Sequence, residues 1–554
     1  MQQSVPANYQ DDYPDHMLRN VLEDYLNNIS EERDLDYPLI SLLRAMGFYD
    51  IHFTHGPGEI GKDFIAKRVI DNVVYQYAIQ SKQGNINQKK LTSEVYPQIL
   101  LASISGLSHP QFDKDLPRRV VVVTTGRLVG NAPLILQDLN IELETKYNRE
   151  KVEFWGKEQL IQHFEEFGFA SIHQLTSRGL AGYAQFYLIY SKALDGKLSD
   201  REITEFSGLW LDHALEYRKR ILRAAIETEI IASKLIGNGS FYEAIVLYAS
   251  FARLVLQVVQ EEDDEYSIEI YWELIKTRIF PLCEDFFSKL KEQWEQSEKS
   301  LLYVIHDVSA FPMLHYLVWC ARVTDIVSLY FFLTKDQKVK DDCVSFLVEI
   351  IDREEGCGHI PSDRYATSLV WTVLMLIKAG MREKALDLVK KSVIWLCDRV
   401  DNGAGLAHFE SSEYEETAIL IGHSFEFIPS PKNRHSFLAT SLADLAALIG
   451  DKEFYGLVIN DFEASDIAYN YWQVPDTSAI FTLETNECRA YANIDHSYTL
   501  NNFDDYEYAE HLKLEPSTFQ ITEKAGLNSL VLLSFFLKDR YFPKLWKRII
   551  TEDF

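Results

Sequence analysis

Gly56 to Ile86 reads GPGEIGKDFIAKRVIDNVVYQYAIQSKQGNI. Its Ile, Val, Phe and Tyr residues crowd two runs, Asp63 to Val69 and Val73 to Gln80, as extended strands do. Between them, Ile70-Asp71-Asn72 supplies the residue types of a hairpin turn. Asp63 opens the first strand, and Gln80-Ser81-Lys82, seventeen positions further on, closes the second. Alternate residues of a strand share a face. Gln80 and Lys82 therefore point the same way, and strand pairing can bring Asp63 beside them.

Upstream, Leu39, Ile40, Leu42, Leu43 and Met46 predict an amphipathic helix from Tyr37, stopped at Gly47, and Tyr49 to Thr54 reads as a strand. Downstream, helical spacing returns over 91–106, and Arg119 to Thr125 (RVVVVTT) is an apolar run suited to a strand covered on both faces. A helix around Ala132 to Asp138, a strand around Val152 to Trp155 and a closing helix from Lys157 to Phe167 complete an α/β domain. Its expected bounds are 31–172, after an acidic arm or short docked helix over 1–30.

From about Ser177 helical patterns take over. Leu211, Leu215, Leu222, Ala225, Ile226 and Ile230 predict one striped helix, broken at Gly237-Asn238-Gly239. GSFYEAIVLY, GMREKALDLV and GDKEFYGLVI, from Gly239, Gly380 and Gly450, share a glycine with an apolar residue six positions on, as helix-hairpin units do. Their spacing is irregular, so 177–554 is expected to be an irregular helical array, divisible near 300 and 430.

The chain has 554 residues, 47% hydrophobic and 25% charged, with 25 Gly and 16 Pro, which excludes collagen-like and extensively disordered classes. No window holds about 18 uninterrupted apolar residues, and the N-terminus (MQQSVPANYQDDYPDH) is acidic where a secretory signal is basic and apolar. A soluble, cytoplasmic protein without membrane contact is expected. The six cysteines are scattered singly, as buried thiols in a reducing compartment are. A net charge of -28 argues against a surface that coats nucleic acid indiscriminately. The stretch 51–130 nevertheless carries 10 basic against 6 acidic side chains, so the acidity lies mostly elsewhere.

Asp63, Gln80 and Lys82 suit phosphodiester hydrolysis, which needs a polarising divalent ion, an activated water and a cation near the developing charge. Asp63 offers a hard carboxylate oxygen, Gln80 a neutral carbonyl oxygen, and Lys82 a charge to orient or deprotonate water. Glu59 is a further metal or DNA contact, or equally a turn residue between glycines. Gly56 to Lys62 matches the start of a phosphate-binding P-loop, but Asp63 follows where Ser or Thr is required and the chain continues as a strand. Cys357-Gly358-His359 lacks a second ligand pair for zinc, Asp401 to Gly405 reads as a helix connection, and packing accounts for the C-terminal aromatic residues.

The run from Glu59 to Asp63 followed by Gln-x-Lys resembles the PD-(D/E)xK nuclease superfamily, and within it the Mrr-like restriction endonucleases that use Q-x-K. That family places a helix carboxylate six residues before a Leu-Leu pair, and Asp36 stands six before Leu42. The match makes Asp36 a candidate for a second metal or for water, while its place at a helix start also suits an N-cap. The resemblance covers about residues 31–167. It implies a restriction-endonuclease-like α/β domain, a mixed central sheet flanked by helices, ahead of an all-α region. It further implies a DNA endonuclease that uses Mg²⁺ or Mn²⁺ held by Asp63 and Gln80, paired as a homo-oligomer, in a prokaryotic restriction or anti-phage system. The acidic helical region would then sense a protein partner or trigger. Gln80 departs from the acid commoner across the superfamily and lowers the site's negative charge. An inactive nucleic-acid-binding scaffold and a ribonuclease are the alternative readings.

Overall fold

Asp71 and Asn72 sit at φ 50° and 64°, so the turn that joins the central hairpin is left-handed at both positions. Such a turn matches the right-handed twist of the strands it joins, and Asp and Asn tolerate the conformation better than bulkier residues. It links β2 (Phe64–Ile70) to β3 (Val73–Lys82), antiparallel from Ile70↔Val73 to Phe64↔Ile79. In this computed structural model the residues described are 13–29, 31–53, 63–104, 113, 115–169, 176–211, 216–262, 265–304, 312–408, 411–422, 435–469, 532, 546 and 549–551.

β1 (Tyr49–Phe53) pairs antiparallel with β2, while β4 (Arg118–Thr124) and β5 (Glu153–Trp155) continue beyond β3 as parallel strands. The sheet is mixed, in the order β1-β2-β3-β4-β5. Parallel neighbours require crossovers. The first runs through the turns Gln88–Lys90 and Leu91–Val95 into α3 (Tyr96–Ile104), and the second through α4 (Ala132–Tyr147). On one face Ala78, Val120 and Val122 pack with Ile99 and Ala102 of α3 and with Leu136, Leu139 and Leu143 of α4. On the other, Tyr77 meets Phe48 edge-on at 4.8 Å. All four valines from Val120 to Val123 are buried, as a strand covered on both faces demands.

Before the sheet, α2 (Asp36–Ala45) buries Leu39, Ile40, Leu42 and Leu43. It ends where Gly47 takes φ 87° and the Phe48 N–H donates to the Leu43 carbonyl at 3.0 Å. The arm is a docked helix, α1 (Tyr13–Asn28), with Leu22 and Leu26 buried and Arg19 bonded to Glu158 at 2.6 Å and Glu165 at 3.4 Å. Glu158 belongs to the closing helix α5 (Lys157–Phe164).

The chain forms two compact units, Met1–Gly239 and Ser240–Phe554. The boundary falls later than the expected 172–177, because α6 (Thr176–Leu194), α7 (Asp200–Ser207) and α8 (Tyr217–Gly237) belong with the sheet. The cause is α8, which packs on α2 and buries every residue from Arg220 to Ala232. A helix buried all round cannot start a separate layer. The stripe expected on one helix is also divided: Leu211 lies in a 3-10 turn (Gly208–Leu211), Leu215 lies outside the described residues, and α8 begins at Tyr217.

The second unit is helical: α9 (Phe241–Glu262), α10 (Glu265–Gln296), α11 (Pro312–Leu333), α12 (Gln337–Arg353), α13 (Ala366–Lys378), α14 (Arg382–Asp401), α15 (Glu413–Leu420), α16 (Phe437–Ile449) and α17 (Lys452–Ala464). Its described strands are the two-residue pieces β6 (His435–Ser436) and β7 (Ala468–Tyr469). Gly380 and Gly450, at φ 77° and 75°, turn the chain from α13 into α14 and from α16 into α17, so the shared glycine marks a helix joint. No unit boundary falls at the expected division near 300, and position 430 lies outside the described residues. Among the described residues two segments are long and apolar enough to cross a membrane, Phe241–Val258 and Pro312–Leu333. They are 94% and 72% buried inside the protein, as core helices are.

Candidate functional site

Asp63 stands where β2 begins and is tied to β3 twice. Its N–H donates to the Ile79 carbonyl at 3.0 Å, and its carboxylate Oδ2 accepts from the Ser81 N–H at 2.7 Å. A carboxylate thus takes the place of a ladder carbonyl. The bond holds the Asp63 carboxylate at the backbone N–H of Ser81, the residue between Gln80 and Lys82.

Gln80 is 2% exposed. Its Nε2 donates to Oε1 of Gln98 on α3, and its own Oε1 is buried without a hydrogen-bond partner. A buried carbonyl left unpaired costs about 1–3 kcal/mol, so the fold carries an unmet acceptor one residue along β3 from the N–H that holds the Asp63 carboxylate. Lys82, the last residue of β3, is 8% exposed, and its Nζ lies 3.3 Å from the Glu32 carboxylate. Taking an ammonium out of water to that degree costs free energy, which such a partner offsets in part.

The chain beyond Lys82 is held rigidly. Gln83 Nε2 donates to the Ile29 carbonyl at 2.8 Å, Thr124 Oγ1 to the Gly84 carbonyl at 2.6 Å, and the Gly84 N–H to Thr125 Oγ1 at 2.9 Å. Gly126 presses on Gly84 so closely that a Cβ there would lie 2.3 Å from the Gly84 carbonyl carbon. The carboxyl ends of β3 and β4 are therefore locked together through their following loops.

Asp63, Gln80 and Lys82 all stand at one end of the hairpin, each side chain held by a different partner. Asp36 is buried, 7% exposed, but it is the first residue of α2 and Leu35 holds the N-cap position, which corrects the capping alternative. The helical carboxylate seen at Lys82 is Glu32, four residues earlier in the 3-10 turn Glu32–Leu35, which the sequence reading missed. It lies in a 3-10 turn ahead of the apolar periodicity that marks α2. Gln98 was missed as well, and no local pattern marks it. Glu59 and the loop from Gly56 to Lys62 lie outside the described residues.

Among the described residues no group of three or more His, Cys, Asp or Glu is arranged to hold a metal ion. The Asp63 carboxylate and the unpaired Gln80 carbonyl still suit a hard cation. Mg²⁺ favours oxygen ligands, takes one or two carboxylates and keeps several waters. Burial depresses the pKa of His359, whose ring stacks on Trp395 at 4.3 Å. Asp401 to Gly405 caps α14, with Gly403 at φ 75°. No family model, curated protein or solved structure matches this chain.

Proposed function

We propose that the first unit is a divalent-metal-dependent DNA endonuclease of the Mrr-like PD-(D/E)xK type. The observation that carries this reading is the buried, unpaired Oε1 of Gln80, one residue along β3 from the N–H that holds the Asp63 carboxylate. The order of helix α2, antiparallel β1 to β3, helix α3 and parallel β4 supports it, being the arrangement that the resemblance implies.

Asp63 and Gln80 would hold Mg²⁺ or Mn²⁺, which when bound supplies the charge that polarises a phosphate. Asp63 keeps its carboxylate aimed through the Ser81 bond. Lys82 brings an ammonium to the same end of the hairpin, where it attracts the phosphate and orients a water. Glu32 holds that ammonium in the absence of substrate and can pass it to the phosphate without leaving it unpaired. The helical second unit fits the role of sensing a partner or trigger in a defence system, with the paired subunits that cutting both strands calls for.

The test is incubation of wild type, Asp63→Ala and Lys82→Ala with plasmid DNA, linear DNA and RNA in Mg²⁺, Mn²⁺ or EDTA. Metal-dependent DNA cleavage, lost in both variants, is expected. Binding of nucleic acid that persists in Asp63→Ala, with no cleavage by wild type under any metal, would favour the scaffold reading. Preferential loss of RNA would make the protein a ribonuclease.

A further inference from the structure

An amide at a metal-binding position has a difficulty that a carboxylate lacks. Its two ends have nearly the same shape, but the carbonyl can ligate a cation and the NH₂ group cannot. A half-turn about the last side-chain bond exchanges them. At Gln80 the end that is satisfied is the NH₂, through Nε2 to Gln98 Oε1, and the end left bare is the carbonyl. Gln98 is well placed to fix this choice. It is half-buried on α3 between Val95 and Ile99, both packed in the core that includes Ala78 of the same strand as Gln80.

We propose that Gln98 is a positioning residue that holds the Gln80 amide with its oxygen turned toward the metal. This rests on the metal-site reading above. Substituting glutamine for the acid at position 80 creates the need for an orienting acceptor, and Gln98 supplies it. Loss of a partner that orients a metal ligand weakens affinity by about 10–100-fold.

The experiment measures Mn²⁺ binding to the full chain by electron paramagnetic resonance, with circular dichroism and thermal unfolding to show that each variant is folded. Gln98→Met keeps length and removes the acceptor, and is expected to weaken Mn²⁺ binding about tenfold. Gln98→Glu keeps an acceptor and is expected to bind at least as well as wild type. In a Gln80→Glu background both ends of residue 80 are oxygens, so adding Gln98→Met should change affinity less than about twofold, where a general packing role would weaken binding as much as before. Asp63-dependent binding that Gln98→Met leaves unchanged, or weakens equally in both backgrounds, overturns the proposal alone. Mn²⁺ binding that survives Asp63→Ala overturns the metal-site reading and the proposal with it.

Discussion

Lys82 is a charge kept at a cost. Taking an ammonium out of water is unfavourable, and its partner Glu32 is itself 43% exposed, so the ion pair returns only part of that cost. Replacing a buried ion pair by apolar residues is often neutral or stabilising, and the Glu32 carboxylate that Lys82→Met leaves behind stays in contact with water. Lys82→Met is therefore expected to unfold at the same temperature as wild type or a few degrees higher, while cleavage falls by at least about 100-fold, the smaller end of what a proton-handling group contributes. Calorimetry and a plasmid assay on one preparation check both halves. A clear loss of stability would mean that Lys82 holds the fold together. At this scale Asp63, Gln80 and Lys82 were legible because strand alternation and hairpin pairing are local rules. Glu32 was not, since it lies in a 3-10 turn before the apolar periodicity of α2 begins. Gln98 was not, since its meaning depends on the direction of a side-chain amide in a strand 18 positions away.

The elements around the site answer to backbone geometry. A methyl on Gly126 would meet Gly84 and the Asn85 nitrogen at 2.3 and 2.4 Å, and backbone cannot rotate aside. Gly126→Ala is expected to destabilise by about 1–3 kcal/mol and to lower cleavage, because the loops that follow β3 and β4 must part next to Lys82. Chemical denaturation and plasmid assays measure the two effects, and full stability would show that the loops are freely deformable. At the far end of the hairpin Asn72 has φ 64°. Asn72→Val should cost about 1–2 kcal/mol, and Asn72→Gly should cost nothing. On α5, His163 lies edge-on to Trp155 at 5.0 Å. Burial first, and the Arg68 charge after it, hold its pKa below the ordinary 6.5 against the opposing pull of Glu166. The unfolded chain therefore takes up a proton from pH 6.5 downward that the folded chain resists, and stability falls as pH drops through that window. His163→Phe should flatten this slope between pH 7.5 and 5.5 in urea titrations. The same slope in the variant would place its origin elsewhere, His359 having the same sign. The hairpin and both crossovers were legible in the pattern of apolar residues. The length of α4 was underestimated, because the exposed run Glu144, Thr145 and Lys146 near its end hides the periodicity.

Across the whole chain, charge separates more cleanly than secondary structure does. Met1–Gly239 carries 26 basic and 32 acidic side chains, and Ser240–Phe554 carries 29 and 51. The unit boundary was hidden because the switch from strand to helix patterning near residue 177 comes before the last three helices that cover the first unit, and composition does not say which core a helix joins. The charge imbalance was visible and has a consequence for substrate. A polyanion is drawn to clustered Lys and Arg and repelled by a large negative field. If the second unit's field opposes DNA, Met1–Gly239 alone should bind a DNA duplex more tightly than the full chain at 50 mM salt. The difference should shrink as salt rises, since the screening length falls from about 14 Å at that ionic strength to roughly 3 Å at 1 M. Fluorescence anisotropy across a salt series reads this directly. Convergence of the two affinities with salt would identify electrostatic restraint by the helical unit. A constant ratio would point to steric blockage instead, and equal affinities throughout would mean that the acidic surface lies beyond the reach of the DNA.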